Sequence, residues 1–250
     1  MSDSYSEAPT AGGMPGHVAI QGPGNPHDAE DSHPHHPKLQ HHFDDMAQQA
    51  EASTLGMWVF LVTEIMFFGG LFMAYLLYRW ANPMGFQEAS SHLNVWLGAG
   101  NTAILIISSL TMAMAVRSAQ TSAPAKTQVM WLVATMILGA AFLGIKVIEY
   151  ADKFEHHTVP GPNFVWDGQY PAAAEIFYSI YFCMTGLHAL HMIIGIGIML
   201  WITWMAWRRQ FDASYYTPVE VAGLYWHFVD IVWIFLFPLL YLIGRHYGGH

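Results

Sequence analysis

Seven ionisable side chains lie inside apolar stretches of this sequence that are long enough to cross a lipid bilayer. They are Glu64, Lys146, Glu149, His188, His191, His227 and Asp230. Six of them form pairs three positions apart, so the members of each pair share one face of a helix. A charge in hydrocarbon costs about 2.5–3.5 kcal/mol on insertion scales, so such groups pair with one another, line a pathway or contact a partner.

Metal chemistry is one interpretation of this set, and the spacing argues against it. A di-metal carboxylate bundle needs a Glu-x-x-His pair on each of two helices, and the apolar segments contain none. Haem ligation needs histidines on facing helices at matching depth, for which His188 or His191 opposite His227 is the candidate arrangement. The residues therefore predict no metal on this chain.

Two other interpretations stay open on the residues alone. The first is a proton or ion pathway of the chain's own, because membrane relays use carboxylates and histidines. The second is structural: the polar groups satisfy one another, fix helix register and help the bundle pack against a larger partner. Under either interpretation we expect Lys146 to pair with Glu149, and we hypothesise that His227 reaches Glu64 or Glu149 across the bundle.

The elements that position these residues are predicted to be membrane helices. Hydrophobic residues make up 54% of the chain and charged residues 11%, against about 25% charge in an ordinary soluble domain. Five apolar segments approach or exceed the roughly 20 residues that a bilayer requires. They predict an all-α polytopic bundle with spans at 55–80, 93–116, 129–150, 175–207 and 219–243, since they are too long and continuously apolar for barrel strands.

Residues 1–50 differ from the rest of the chain in being rich in Gly, Pro, His and acidic side chains. They lack apolar periodicity and predict a flexible tail, leaving residues 51–250 as the transmembrane domain. The histidines suit weak, opportunistic metal binding or a merely solvated tail. Residues 44–54 are expected to form an amphipathic helix that leads to the membrane. The net charge of −9 excludes a basic nucleic-acid footprint.

Loop charges predict the orientation of the bundle, because Lys and Arg favour the cytoplasmic side. The predicted inner side carries Lys38, Arg117, Lys126, Arg208 and Arg209, and the outer side carries Arg79, Lys153 and Arg245. The N-terminus is therefore expected inside and the C-terminus outside. The loops at 81–92 and 151–174 would then be external.

Small and aromatic residues predict how the helices pack. Close helix contacts are expected at Gly69, Gly70, Gly98, Gly100, Ala140, Gly144 and Gly186. An interfacial aromatic belt is expected from Trp58, Tyr78, Trp80, Trp131, Tyr150, Trp204, Trp207 and Tyr241. Pro238 predicts a kink near the end of the last span, and the single Cys183 is expected to be a small buried hydrophobe.

Five motifs, in order along residues 50–245, resemble subunit III of haem–copper terminal oxidases, chiefly cytochrome c oxidase. The final-helix signature is YWHFVDIVW at 225–233. The other four are TEIMFF at 63–68, Asn101-Thr102, Lys146-x-x-Glu149-Tyr150 and GLHALHMIIG at 186–195. The tail has no recognised counterpart.

The resemblance implies a non-catalytic core subunit of a proton-pumping oxidase in the bacterial inner membrane. It implies no cofactor on this chain, haem and copper on the partner subunits I and II, and bound phospholipid. In this family the subunit packs on subunit I, sustains its proton uptake and protects it during turnover. Glu64 matches a carbodiimide-reactive glutamate, whereas His191 and Arg208 match positions near lipid head groups.

The resemblance leaves two alternatives and one departure from the family. Relatives of subunit III also accompany quinol oxidases and nitric oxide reductases, and a stand-alone ion-coupled transporter is a second class of function. Seven-helix members hold lipid in a cleft between their first two helices and the rest. This chain starts at the helix equivalent to their third, so a complete cleft would need neighbouring subunits.

Overall fold

Six α-helices make up most of the described part of the chain. The computed structural model describes residues 38, 40, 43–162 and 164–242. The helices are α1 (Met46–Ala81), α2 (Pro83–Ser91), α3 (Val95–Gln120), α4 (Ala125–Glu155), α5 (Pro171–Trp207) and α6 (Thr217–Phe237), and α6 continues as a π-helical turn over Pro238–Leu242. Most of the predicted tail, and Arg245 at the other end, lie outside the described residues.

Five of these helices are long and apolar enough to cross a membrane, and they confirm the predicted all-α bundle. They are α1, α3, α4, α5 and α6 with its π-helical turn. Helix α6 is the most enclosed of the five, because 56% of its 18-residue apolar stretch is buried, against 17–33% in the other four helices. Because α6 packs on α1, α3 and α5, residues on α6 can meet polar groups from several directions.

The helix ends follow capping chemistry in the sequence. The Asp45 carboxylate accepts a hydrogen bond from the Gln48 backbone N–H and starts α1, so the expected amphipathic lead is part of one 36-residue helix. Asn94 caps α3 by accepting from the N–H groups of Trp96 and Leu97. The prediction missed α2, although Pro83 in its first turn is a typical helix-start signal.

The backbone changes at Pro238, where the sequence predicts a kink. Helix α6 ends at Phe237, and the next five residues form the π-helical turn. The Tyr75 hydroxyl of α1 donates a hydrogen bond to the Leu239 carbonyl in this turn. A neighbouring helix thus supplies a partner to a backbone carbonyl of the irregular segment, as a low-dielectric environment requires.

Close packing around α6 occurs at glycines that differ from most of those predicted. A Cβ at Gly139 would lie 2.7 Å from the Trp226 ring, and one at Gly195 would lie 3.0 Å from it. Gly98 does contact Phe237 closely, as expected. The prediction is wrong for Gly69, Gly70, Gly100 and Gly144, where a Cβ would meet no described atom within 4 Å apart from the backbone of its own helix.

Two further packing predictions are corrected by the structure. Cys183 is exposed on the surface of α5 rather than buried. Tyr241 is fully buried rather than interfacial, because the π-helical turn directs it into the bundle. Trp58, Trp80 and Trp207 are exposed, consistent with an aromatic belt.

Candidate functional site

A buried ion pair at one end of α4 anchors the first polar cluster. The Lys146 ammonium lies 2.9 Å from the Glu149 carboxylate, and each side chain is only 4% exposed. The predicted pairing of these residues is confirmed. Two buried charges in contact need further hydrogen bonds to offset their desolvation, so the remaining donors and acceptors decide whether the pair is stable.

Two tyrosines complete the shell around this pair. The Tyr181 hydroxyl donates to Glu149 Oε1 at 2.8 Å, and the Tyr241 hydroxyl donates to the same oxygen. Lys146 Nζ lies 3.0 Å from the Tyr241 oxygen and 3.4 Å from the Tyr181 oxygen. The three ammonium hydrogens therefore have three acceptors, and the cluster joins α4, α5 and the end of α6.

Aromatic rings enclose the ammonium on its remaining sides. Lys146 Nζ lies 4.8 Å from the centre of the Trp233 ring, which is within cation–π range. His188 is buried beside the same ring, with ring centres 5.2 Å apart, and it meets Phe142 edge-on. Neither His188 nitrogen has a hydrogen-bond partner among the described residues.

His191, three residues later on α5, faces a different helix from His188. Its Nε2 lies 3.2 Å from a carboxylate oxygen of Glu64 on α1. Its Nδ1 lies 2.8 Å from the Leu187 carbonyl, which can only accept, so Nδ1 carries a proton. One further proton is then shared between His191 Nε2 and Glu64, and the pair has no net charge whichever atom holds it.

This His191–Glu64 pair lines the deep end of a cleft between α1, α5 and α6. The cleft has a volume of about 640 Å³ and mostly apolar walls, which include Phe60, Ile198 and Trp201. Gln49 and Ser53 line its shallow end. Because α1 rises about 1.5 Å per residue, the deep and shallow ends lie roughly 20 Å apart. A slot of this shape suits a long apolar chain.

Arg208, the other residue matched to lipid contact, lies apart from this cleft. It is the C-cap of α5, and its guanidinium stacks on the Trp204 ring at 4.2 Å. It is exposed and does not line the cleft. The structure therefore separates Arg208 from His191 along α5 by about 25 Å. His191 lies at the deep end of the cleft, so the expectation that it lies near a lipid head group is corrected.

The signature helix α6 places His227 and Asp230 on a third polar site. His227 Nδ1 lies 2.7 Å from the Ser109 hydroxyl of α3. The hypothesis that His227 reaches Glu64 or Glu149 is wrong, because those carboxylates lie with His191 and Lys146. Asp230 is 3% exposed, and neither of its oxygens has a hydrogen-bond partner among the described residues.

Sequence reasoning missed three residues of these sites, namely Tyr181, Tyr241 and Ser109. A tyrosine deep in an apolar helix needs a hydrogen-bond partner for its hydroxyl, so Tyr181 carried a usable signal. Ser109 carried none, because a single serine is unremarkable in a membrane helix. Within the described ranges, no group of three or more His, Cys, Asp or Glu side chains is arranged to hold a metal ion.

Most of the chain, including these sites, is similar to known proteins. A family model described as cytochrome c oxidase subunit III matches residues 40–245. The cytochrome c oxidase subunit 3 of Thermostichus vulcanus is 34% identical over 206 residues, which cover 81% of this chain and 92% of the relative.

Two relatives carry a different name. A probable quinol oxidase subunit 3 of Staphylococcus epidermidis is 29% identical over 206 residues, covering 82% of this chain and 96% of the relative. The cytochrome bo(3) ubiquinol oxidase subunit 3 of Pseudomonas aeruginosa is 32% identical over 206 residues, covering 81% and 91%. The matched region of the family model spans all five long helices and the three polar sites.

Proposed function

This chain belongs to the cytochrome c oxidase subunit III family, and from that premise we propose that it is a non-catalytic core subunit of a proton-pumping respiratory oxidase. The observation that carries the proposal is the match of the family model across all five long helices. The Lys146–Glu149 cluster supports a structural role, because each ammonium hydrogen has an acceptor inside the bundle. We place the chain in a bacterial inner membrane, with its N-terminus inside and its C-terminus outside.

The partners in this proposal are the other subunits of the oxidase. Subunit I, in direct contact, carries the haems and a copper, and subunit II carries the electron-entry site. This chain contributes packing surface and bound lipid, and it thereby sustains proton uptake into subunit I and protects it during turnover. The exposed apolar faces of α1 and α3 offer area for both lipid and partner helices.

The proposed lipid site is the cleft between α1, α5 and α6. A phospholipid acyl chain would lie along its apolar walls towards Glu64 and His191, and the head group would lie near Gln49 and Ser53. The roughly 20 Å length of the cleft matches an extended acyl chain. The His191–Glu64 pair has no net charge, so it suits contact with the apolar end of such a chain better than two separate ions would. Arg208 would contact a different lipid, at the end of α5.

The electron donor in the proposal is cytochrome c, as the name of the Thermostichus vulcanus relative suggests. A quinol oxidase is the second candidate, favoured by the Staphylococcus epidermidis and Pseudomonas aeruginosa relatives. The two candidates differ at a subunit other than this one, so a donor assay on the whole complex distinguishes them.

Purification of the tagged chain in a mild detergent tests the proposal. We expect it to carry haem absorbance together with two larger oxidase polypeptides, and to oxidise reduced cytochrome c with consumption of oxygen. Oxidation of a quinol instead would select the second candidate. A colourless homo-oligomer would overturn the assignment and favour an ion-coupled transporter.

A further inference from the structure

A second groove opens on the membrane-facing side of the bundle between α3 and α6. It has a volume of about 480 Å³, and its walls include Leu105, Ala113 and Ile234. Three polar side chains also line it, namely Ser109, His227 and Asp230. This groove is separate from the cleft that contains Glu64 and His191, because the two cavities share no lining residue.

One hydrogen bond links two of these polar groups, because the Ser109 hydroxyl lies 2.7 Å from His227 Nδ1. Asp230 also lines the groove, and neither of its carboxyl oxygens makes a hydrogen bond to a described residue. The other ring nitrogen, Nε2, makes no hydrogen bond to any described residue, while His227 itself is partly exposed in the groove.

Proton counting shows what this open nitrogen needs. When Ser109 donates to Nδ1 of the neutral imidazole, Nε2 carries a hydrogen and needs an acceptor. When Nδ1 donates to Ser109, Nε2 is bare and needs a donor. A hydroxyl or carboxamide side chain can serve in both cases, whereas a charged side chain would be costly at this depth.

The depth of the site decides between a lipid and a protein occupant. His227 lies about ten residues from the start of α6, and Ser109 lies near the middle of α3. These positions are roughly 15–20 Å from either helix end, which is near the centre of a hydrocarbon layer about 30 Å thick. A lipid head group stays at the interface, so a polar partner at this depth must come from a membrane-spanning helix.

We propose that the α3–α6 groove receives a transmembrane helix of a neighbouring oxidase subunit, which places a hydroxyl or carboxamide side chain against His227 Nε2. This inference rests on the proposed function, because it takes the occupant from the oxidase complex. Ala113 leaves room for the close approach of a helix, and the exposed side chains of Ile106, Leu110 and Ile231 surround His227 with apolar surface.

Photo-crosslinking in the purified complex tests which molecule fills the groove. A benzophenone amino acid at Ala113 points the probe at the groove, and the same residue at Ala103, exposed on the same helix but outside the groove, is the matched control. We expect the Ala113 probe to crosslink to another oxidase polypeptide several-fold more than the Ala103 probe does. Crosslinks only to lipid, or to a second copy of this chain, would overturn the inference.

Substitutions then test the polar contact and the shape of the groove. His227→Phe removes the open nitrogen, and we expect about threefold weaker retention of this chain by the haem-containing complex, the average effect of one hydrogen bond between membrane helices. His227→Gln keeps a polar end and should restore part of the retention. Ala113→Phe fills the groove and should lower retention more than tenfold, whereas Ala103→Phe should leave it unchanged.

The outcomes separate this inference from the proposed function. If the wild-type chain retains haem and all four variants bind the complex equally well, the groove proposal is wrong and the function stands. If the wild-type chain never co-purifies with haem, the function fails and the groove proposal falls with it. The amount of each variant in membranes before solubilisation shows that weak retention is not a failure to fold.

Discussion

The Lys146 ammonium and the Glu149 carboxylate meet at 2.9 Å one turn apart on α4, inside the bundle rather than at its surface. The Tyr181 and Tyr241 hydroxyls donate to the same carboxylate. One charged pair therefore holds three segments of chain together, so substitutions in this pair should lower the stability of the bundle.

Removing one partner of this pair should destabilise the subunit strongly. We expect Lys146→Met or Glu149→Leu alone to cost about 3–5 kcal/mol, since each leaves an unpaired buried charge. The double substitution should cost less than either single one. Thermal unfolding of the purified complex, followed by loss of this chain, gives the measurement, and Lys126→Met at an exposed position of the same helix is the control.

The tyrosine hydroxyls permit a finer test. Tyr181→Phe and Tyr241→Phe each delete a donor to a carboxylate, and each should cost about 1.5–3 kcal/mol. Tyr178→Phe is the matched control, because Tyr178 is fully buried on the same helix as Tyr181 and its hydroxyl has no hydrogen-bond partner in the described part of the chain. Equal losses for Tyr178 and Tyr181 would show that the hydroxyl contacts contribute little.

Glu64→Ala should affect the lifetime of the oxidase more than its initial rate. The substitution removes the polar end of the cleft, so we expect near-normal initial oxygen consumption, less co-purified phospholipid and faster loss of activity during turnover. Glu51→Ala is the control, since Glu51 is exposed on the same helix and does not line the cleft. A complete loss of proton pumping with normal assembly would instead assign Glu64 to an obligatory pathway.

Two deletions should separate the tail from the start of α1. Removal of residues 2–37 should leave assembly unchanged, as the composition of that segment predicts. Extending the deletion to residue 45 also removes the Asp45 cap of α1 and the contact between the Lys38 ammonium and the Gln210 carbonyl. The longer deletion should cost at least about 1 kcal/mol of stability from the cap alone, measurable by thermal unfolding.

The predicted orientation is testable by labelling. In a Cys183→Ala background, a membrane-impermeant maleimide added to spheroplasts should label an Asp167→Cys variant, because the α4–α5 loop is predicted to be external. A Gln120→Cys variant at the end of α3 should react only after the membrane is opened. The reverse pattern would contradict the N-inside orientation.

The sequence predicted local relationships better than distant ones. The Lys146–Glu149 pair follows from the i, i+3 geometry of a single helix, and the five spans follow from length and apolar content. The partner of His227 depends on how α3 and α6 cross, which no residue spacing within one helix records. His188 and His191 share a spacing that suggested a common face, yet one meets Trp233 and the other meets Glu64.

The glycine contacts also show that local features were easier to predict than contacts between distant residues. Gly139 and Gly195 make room for the Trp226 ring, and that function depends on a bulky residue placed far away in the sequence. Gly69 and Gly70 carry the small-residue signal but lie on an exposed face of α1. A small residue predicts that a close contact is possible, whereas the position of the large partner determines where it occurs.

The π-helical turn after Pro238 has a consequence for the charged cluster. A π-helix closes its hydrogen bonds between residues i and i+5, so side chains in Pro238–Leu242 rotate less per residue than they would in a continued α-helix. Tyr241 lies in this turn and reaches Glu149. The change of backbone at Pro238 therefore rotates the following side chains relative to those of α6. This rotation sets the direction of the Tyr241 hydroxyl, so the backbone conformation at the end of α6 decides whether Glu149 on α4 receives this hydrogen bond.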